Sequence, residues 1–177
     1  MIYYLIGFKS CGKSSIGKEL AGLLDRPFFD LDDLIEQAYA QRTGRQLPFR
    51  EIYKEVGADA FRRMEADALK SLNDQNDPIV SLGGGTPIDP QNQQVIKSTG
   101  RVIYISVDPG VLFRRICAGG IPATFDPEDP RGSFDHLLSE RQPIYTTLAE
   151  HTLDATHLTI PQAAQAIAAI IAPQAPH

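Results

Sequence analysis

Residues 2–14 read IYYLIGFKSCGKS. The first five are apolar or aromatic, too short a run for a helix, and fit a strand buried on both faces of a parallel sheet. Directly after them Gly7, Gly12, Lys13 and Ser14 satisfy G-x-x-x-x-G-K-[ST], the phosphate-binding loop. Beyond the loop, KSSIGKELAGLLDRP places Ile16, Leu20, Leu23 and Leu24 at helical spacing and stops against Pro27. The motif therefore sits at a strand-to-helix junction. There the glycines permit a tight loop, backbone N–H groups face inward and the helix N-terminus adds partial positive charge. Lys13 is expected to reach the β- and γ-phosphates of a nucleotide and Ser14 to offer its hydroxyl to Mg²⁺. Gly7, Lys9, Cys11, Gly12 and Ser15 complete the expected nucleotide contact, with Cys11 a small residue suited to a tight loop.

Outward from the loop, strands and helices alternate. PFFD (27–30) reads as a second strand and LDDLIEQAYAQRTG as a helix with Leu31, Leu34, Ile35 and Ala38 on one face. The segment LPFREIYKEVGADAFRRMEADALKSLND reads as two helices broken at Gly57, the second carrying Phe61, Met64, Ala68 and Leu72 as a stripe. PIVSL (78–82), RVIYISV (101–107) and HTLDAT (151–156) supply three further strands, GVLFRRI opens a helix, and IPQAAQAIAAIIA a last one with proline at its start. This pattern predicts an α/β fold, a three-layer α/β/α arrangement with a five-stranded parallel sheet, and ligands beyond the carboxyl ends of the strands. AGGIPATFDPEDPRGSF (118–134) has no periodicity and reads as a mobile lid over the site.

The 177 residues suit one domain, taken as 1–177. With 22 acidic and 17 basic residues the formal charge is -5 and no long run of like charge occurs, so nucleic acid is not an expected partner. No apolar stretch is long enough for a membrane span and no signal-peptide pattern opens the chain. Cys11 and Cys117 form no disulfide framework or metal spacing, which points to the cytoplasm, and a monomer is the expected state. His136, His151, His157 and His177 show no spacing for metal or triad chemistry.

Three further groups carry chemistry. Asp30 and Asp32, two apart at a strand end, would point to one side if the strand continued, one toward Mg²⁺ and its waters, the other toward a substrate hydroxyl as base. Helix capping by one of them is the competing reading. SLGGG ends the third strand with Gly83, Gly84 and Gly85, more glycine than a turn needs, and exposes backbone to a closely approaching ligand. That strand offers Ser81 where an acidic metal supporter is usual, which leaves the role to Asp30. Arg62 and Arg63 are read as opening a helix, with Glu65 on the face of Arg62, so that one arginine could hold a substrate carboxylate while Glu65 fixes its fork.

The ordered set GFKSCGKSSIGKELA, FFDLDDLIEQ with RTGR, GADAFRRMEADAL, SLGGG and ERQPIY (140–145) resembles the shikimate kinases, P-loop enzymes of the nucleoside monophosphate kinase fold. The resemblance implies transfer of the ATP γ-phosphate to the 3-hydroxyl of shikimate, with ATP and Mg²⁺ as cofactors and a small carboxylated polyol as the only partner. It implies that Lys13 and Ser14 serve phosphate and Mg²⁺, Asp30 the metal waters, and Asp32 the shikimate hydroxyls and base chemistry. Arg62 and Arg141 would grip the carboxylate, Gly83 to Gly85 contact substrate, and Arg114 or Arg115 lie on the adenine. The region 32–61 would be the substrate-binding subdomain and 118–134 the lid. One departure stands out: the family's lid Arg-Pro-Leu is replaced by GGIPATF, with Ile121 before Pro122 and no arginine before Arg131. Arg131 is the expected catalytic substitute. Phosphorylation of another carboxylated polyol such as gluconate, or a regulator descended from a kinase, are the competing functions.

Overall fold

The computed structural model describes residues 1–122 and 124–172; Ala123, within the expected lid, and residues 173–177, with His177, lie outside the described residues. Five strands, β1 (Ile2–Ile6), β2 (Phe28–Asp30), β3 (Ile79–Ser81), β4 (Gly100–Ser106) and β5 (His151–Asp154), form one parallel sheet in the order β2-β3-β1-β4-β5. Every residue of β1 is buried, as its unbroken apolar run requires of a central parallel strand. The chain leaves β1 toward β2 and β3 on one side and later adds β4 and β5 on the other. The crevice at the carboxyl end of β1 is thus the topological switch point, and the phosphate loop fills it.

Helices cover both faces. On α1 (Lys13–Leu24), a methyl group added to Gly17 would collide with Phe28 and lie 3.1 Å from Leu5, so α1 packs directly on the Leu5 face. The neighbouring residue Tyr4 points the opposite way, its hydroxyl 2.8 Å from Thr99 of α5 (Pro90–Thr99). Tyr104 lies beside Ile6 in register, hence on the Tyr4 face, and its ring packs 5.4 Å from Tyr145 of α7 (Pro130–Leu148). Helix α8 (Ile160–Ile171) lies against α1, closing the first face.

At the β2 end, α2 (Leu31–Thr43), α3 (Phe49–Val56) and α4 (Ala58–Ser71) pack on one another, with Ile35, Ile52 and Phe61 buried and the Tyr53 and Phe61 rings 5.3 Å apart. Gly57, at φ 80°, makes the break between α3 and α4. Helix α4 thus begins four residues before Arg62, which stands on its second turn and does not open the helix.

Two further differences from the sequence reading have local causes. Helix α5 carries only Val95 and Ile96 as large apolar residues; Asp89 caps it by accepting from Gln91 N and Asn92 N, with Pro90 at its first position. The irregular stretch 118–134 ends early. Asp129 accepts from Gly132 N and Pro130 starts α7, so residues 130–134, Arg131 included, form a helical turn and not loop. Helix α6 (Pro109–Cys117) precedes the stretch. No described helix is long and apolar enough to cross a membrane.

Candidate active site

The loop between β1 and α1 has an unusual backbone: Gly7, Ser10 and Gly12 have φ of 150°, 65° and 100°. At Gly7 any side chain would also run into the backbone of β4, since its first carbon would sit 2.6 Å from the Ile105 carbonyl oxygen, so glycine is required there twice over. Helix α1 begins at Lys13 with no side-chain cap and no acidic residue in its first turn, leaving its N–H groups to an anion. Lys13 is 8% exposed and its Nζ donates to the Gly7 and Phe8 carbonyls, both at 2.9 Å, with Cys11 Sγ at 3.7 Å. The ammonium is thereby laid across the loop.

Ser14 donates from Oγ to Asp30 Oδ2 at 2.6 Å and faces Ser81 Oγ at 3.2 Å. The strand does not run on to Asp32. It stops at Asp30, and α2 starts at Leu31, because Asp30 Oδ1 accepts from Asp32 N and caps the helix. Asp30 therefore caps α2 through one oxygen and accepts from Ser14 through the other. Ser14, Ser81 and Asp30 present hard oxygen donors of the kind Mg²⁺ takes alongside water and phosphate.

Asp32, one residue into α2, has its pKa pushed up to about 7, first by burial, then by the charges of Asp30 and Glu65, with Lys13 opposing. Its Oδ1 lies 2.9 Å from where a methyl group on Gly83 would sit. A methyl on Gly84 would lie 3.4 Å from Arg141 Nη1 and 3.5 Å from the Tyr145 hydroxyl, and one on Gly85 3.4 Å from Arg62 Nη2. None of the three glycines has positive φ, so their requirement is space and not backbone freedom. The strip is a floor, and each glycine faces a different charged side chain.

Those side chains are themselves held. Arg62 Nη1 donates to Glu65 Oε2 at 2.5 Å, and Glu65 is 2% exposed, unlike the surface pair its spacing allows. Tyr145 donates its hydroxyl to the Gly84 carbonyl at 2.6 Å, and Arg141, one helical turn earlier on α7, lies 5.7 Å from the Phe8 ring. Lys9 is exposed, its pKa lowered by partial burial and by nearby Arg50; Ser15 is exposed on the first turn of α1.

Arg131 binds both oxygens of Asp135 through Nε, at 3.0 and 2.8 Å, and stacks near Phe113 and Phe134 at 5.3 and 5.6 Å. Phe134 meets the Phe8 ring of the loop edge-on at 5.5 Å, so the Phe134 ring stands between the loop and Arg131, which is turned to Asp135. Arg114 and Arg115 are exposed on the last turn of α6.

Neither of that pair lines the cavity of about 340 Å³ that opens next to the loop. Its walls include Phe8, Cys11, Asp108, Asp154, Thr156 and His157. Asp154 ends β5 and the other two form the turn after it, where Asp154 accepts from Thr156 N and Thr156 Oγ1 accepts from Asp108 N. The strand-end rule points to this turn, and D-x-T is its local signal, but nothing in the spacing singles it out.

An anion cradle at one end, arginines for an acid at the other, and a carboxylate near neutral pKa between them are what a small-molecule kinase of the P-loop class requires. Comparison with known proteins narrows the class. The shikimate kinase family model matches residues 9–172. Shikimate kinases of Dechloromonas aromatica and of Thermus thermophilus are 36% and 39% identical over 155 and 142 residues, covering 88% and 80% of this chain and 81% and 74% of theirs. The structure of the Acinetobacter baumannii shikimate kinase in complex with shikimate superposes with a TM-score of 0.82 at 27% identity, over 96% of this chain and 92% of that one. The chain belongs to the shikimate kinase family.

Proposed function

We propose that this chain phosphorylates the 3-hydroxyl of shikimate with ATP, giving shikimate 3-phosphate and ADP in the route to aromatic amino acids. The observation that carries the reading is the glycine floor, where Gly83, Gly84 and Gly85 face Asp32, Arg141 and Arg62 in turn. A carboxylate bound by the two arginines leaves the ring hydroxyls of a compact polyol toward Asp32 and the phosphate loop.

In this reading the α1 N-terminus and the loop amides, with Gly7, Lys9, Cys11, Gly12 and Ser15, bind the phosphates. Lys13 leaves the Gly7 and Phe8 carbonyls for the β- and γ-phosphate oxygens. Ser14 and Asp30 would hold Mg²⁺ directly and through water, and the ion would neutralise charge on the phosphates. Asp32 accepts the proton of the attacking hydroxyl, a task suited to its pKa of about 7. The hydroxyl oxygen bonds to the γ-phosphorus as the bond to the bridging oxygen breaks, and that electron pair leaves with ADP. Arg131, freed from Asp135, supplies the lid charge that Ile121 and Pro122 do not. The cavity beside Phe8 and Thr156 takes the base, with Arg114 or Arg115 reaching over it from α6. The region 32–61 is the substrate-binding subdomain and 118–134, whose last five residues are the first turn of α7, the lid of one domain, acting as a cytoplasmic monomer.

The test is ADP release by the purified protein with Mg²⁺ and ATP, with shikimate and with gluconate as acceptors. Release with shikimate alone is expected. Release with gluconate would overturn the acceptor assignment, and binding of both ligands without turnover would favour a regulator.

A further inference from the structure

Glu65 is a buried carboxylate with three donors from three parts of the chain. Arg62 Nη1 and Asn92 Nδ2, the latter from α5, donate to Oε2 at 2.5 and 3.0 Å, and Thr86 Oγ1 donates to Oε1 at 2.7 Å. Thr86 follows Gly85 directly and opens the short 3₁₀ turn Thr86–Ile88, so the turn that ends the glycine floor also carries a hydroxyl to Glu65. Asn92, 1% exposed, gives its second N–H to the Thr86 carbonyl at 3.3 Å.

The amide has one orientation only. Both Nδ2 hydrogens meet acceptors, and turning it over would set its carbonyl against the Glu65 carboxylate. Its Oδ1 is buried and has no partner among the described residues. An orphaned buried carbonyl is a net cost, and leucine would fill a similar volume without it. Asparagine at this position is therefore explained by what its NH₂ group does and not by packing. What that group holds, through Glu65, is the Arg62 guanidinium, which otherwise has several rotatable bonds to lose on binding.

We infer that Asn92 and Thr86 are positioning residues for recognition of the substrate carboxylate: they lock Glu65, and Glu65 locks the fork of Arg62 over Gly85. The inference rests on the reading of Arg62 as a carboxylate-binding residue. It predicts a loss confined to acid recognition, because neither residue reaches the phosphate loop.

The experiment compares kcat and KM for shikimate and for its uncharged methyl ester in the wild type, Arg62→Ala, Thr86→Val, Thr86→Ser and Asn92→Leu, with thermal melting of each to verify folding. Thr86→Val and Asn92→Leu are expected to raise the KM for shikimate about five- to tenfold, to shrink the preference for the acid over the ester, and to leave the KM for ATP in place. Thr86→Ser, which keeps the hydroxyl, keeps the preference. If packing were the role, Thr86→Val would behave as the wild type and Thr86→Ser would be the weaker variant, which overturns the inference. Should Asn92→Leu fail to fold, the Thr86 pair decides alone. Retention of the preference in Arg62→Ala would overturn the carboxylate reading itself. Its loss there but full retention in Thr86→Val and Asn92→Leu would overturn only the positioning role.

Discussion

At the scale of one residue, the group with most to report is Asp32, since burial and the neighbouring carboxylates disfavour its charge and place its titration at about 7. The proposed base works ionised, so kcat/KM for shikimate is expected to rise with pH along a limb of apparent pKa near 7 and to level above it. Asp32→Asn is expected to lose on the order of 10² to 10⁴ in kcat. An unmoved limb in that variant would assign the titration elsewhere. The same shift acts on stability. The folded state keeps its proton up to about pH 7 and the unfolded chain loses it near 4, so the folded state binds more protons in that window and stability falls as pH rises through it. Asp32→Asn is expected to be more stable than the wild type at pH 8, by up to about 4 kcal/mol, and close to it at pH 4 in urea unfolding. Of the two sequence readings of Asp30 and Asp32, the structure bears out the helix cap: the place of Asp32 comes from the cap that Asp30 makes on α2, not from a strand running through both residues. Asn92 was not legible at all, because the role inferred for it depends on Glu65, 27 positions away and brought to it only by the packing of α4 on α5.

At the scale of an element, α7 decides what Arg131 can do. A helical turn beginning at Pro130 restricts the backbone of Arg131, and only its side chain is free to move. The contact that holds it is an exposed i,i+4 pair with Asp135, and pairs of that kind are worth roughly 0.2–1 kcal/mol. A γ-phosphate offers a stronger partner, so release from Asp135 costs little beside the binding energy of ATP. Arg131→Ala is expected to lower kcat on the order of a hundredfold or more while changing the KM for shikimate less than threefold, and Asp135→Asn to leave kcat within threefold of the wild type. A kcat for Arg131→Ala within twofold of the wild type would remove Arg131 from the mechanism. The element itself is hidden in the sequence by Gly132 and Pro143, residues that discourage a helical reading of 130–148. The inner strands β1, β3 and β4 were legible because parallel strands buried on both faces run nearly continuous in apolar residues, whereas β5, at the sheet edge, reads HTLD and alternates half-buried and exposed residues.

At the scale of the whole molecule, the sheet order sets the two ends of the site on different parts of the chain. In the proposed reading the phosphate end belongs to β1 and α1 at the switch point, whereas the acid end belongs to α4, α7 and the glycine floor after β3. Both close on the folded state only, so each ligand at a hundred times its dissociation constant stabilises by about 2.7 kcal/mol. For a chain of this size that corresponds to a rise of roughly 5–10 °C in melting temperature per ligand. The separation of the ends makes the two rises separable by mutation. Arg62→Ala is expected to lose most of the rise with shikimate and keep that with Mg·ATP, and Lys13→Ala to do the reverse, in thermal melts with each ligand alone. Loss of both rises in either variant, with the fold intact by circular dichroism, would mean that the site responds as one unit. The acceptor pocket would then depend on the phosphate loop for its shape, which the contact of Phe8 with Arg141 makes the first place to look.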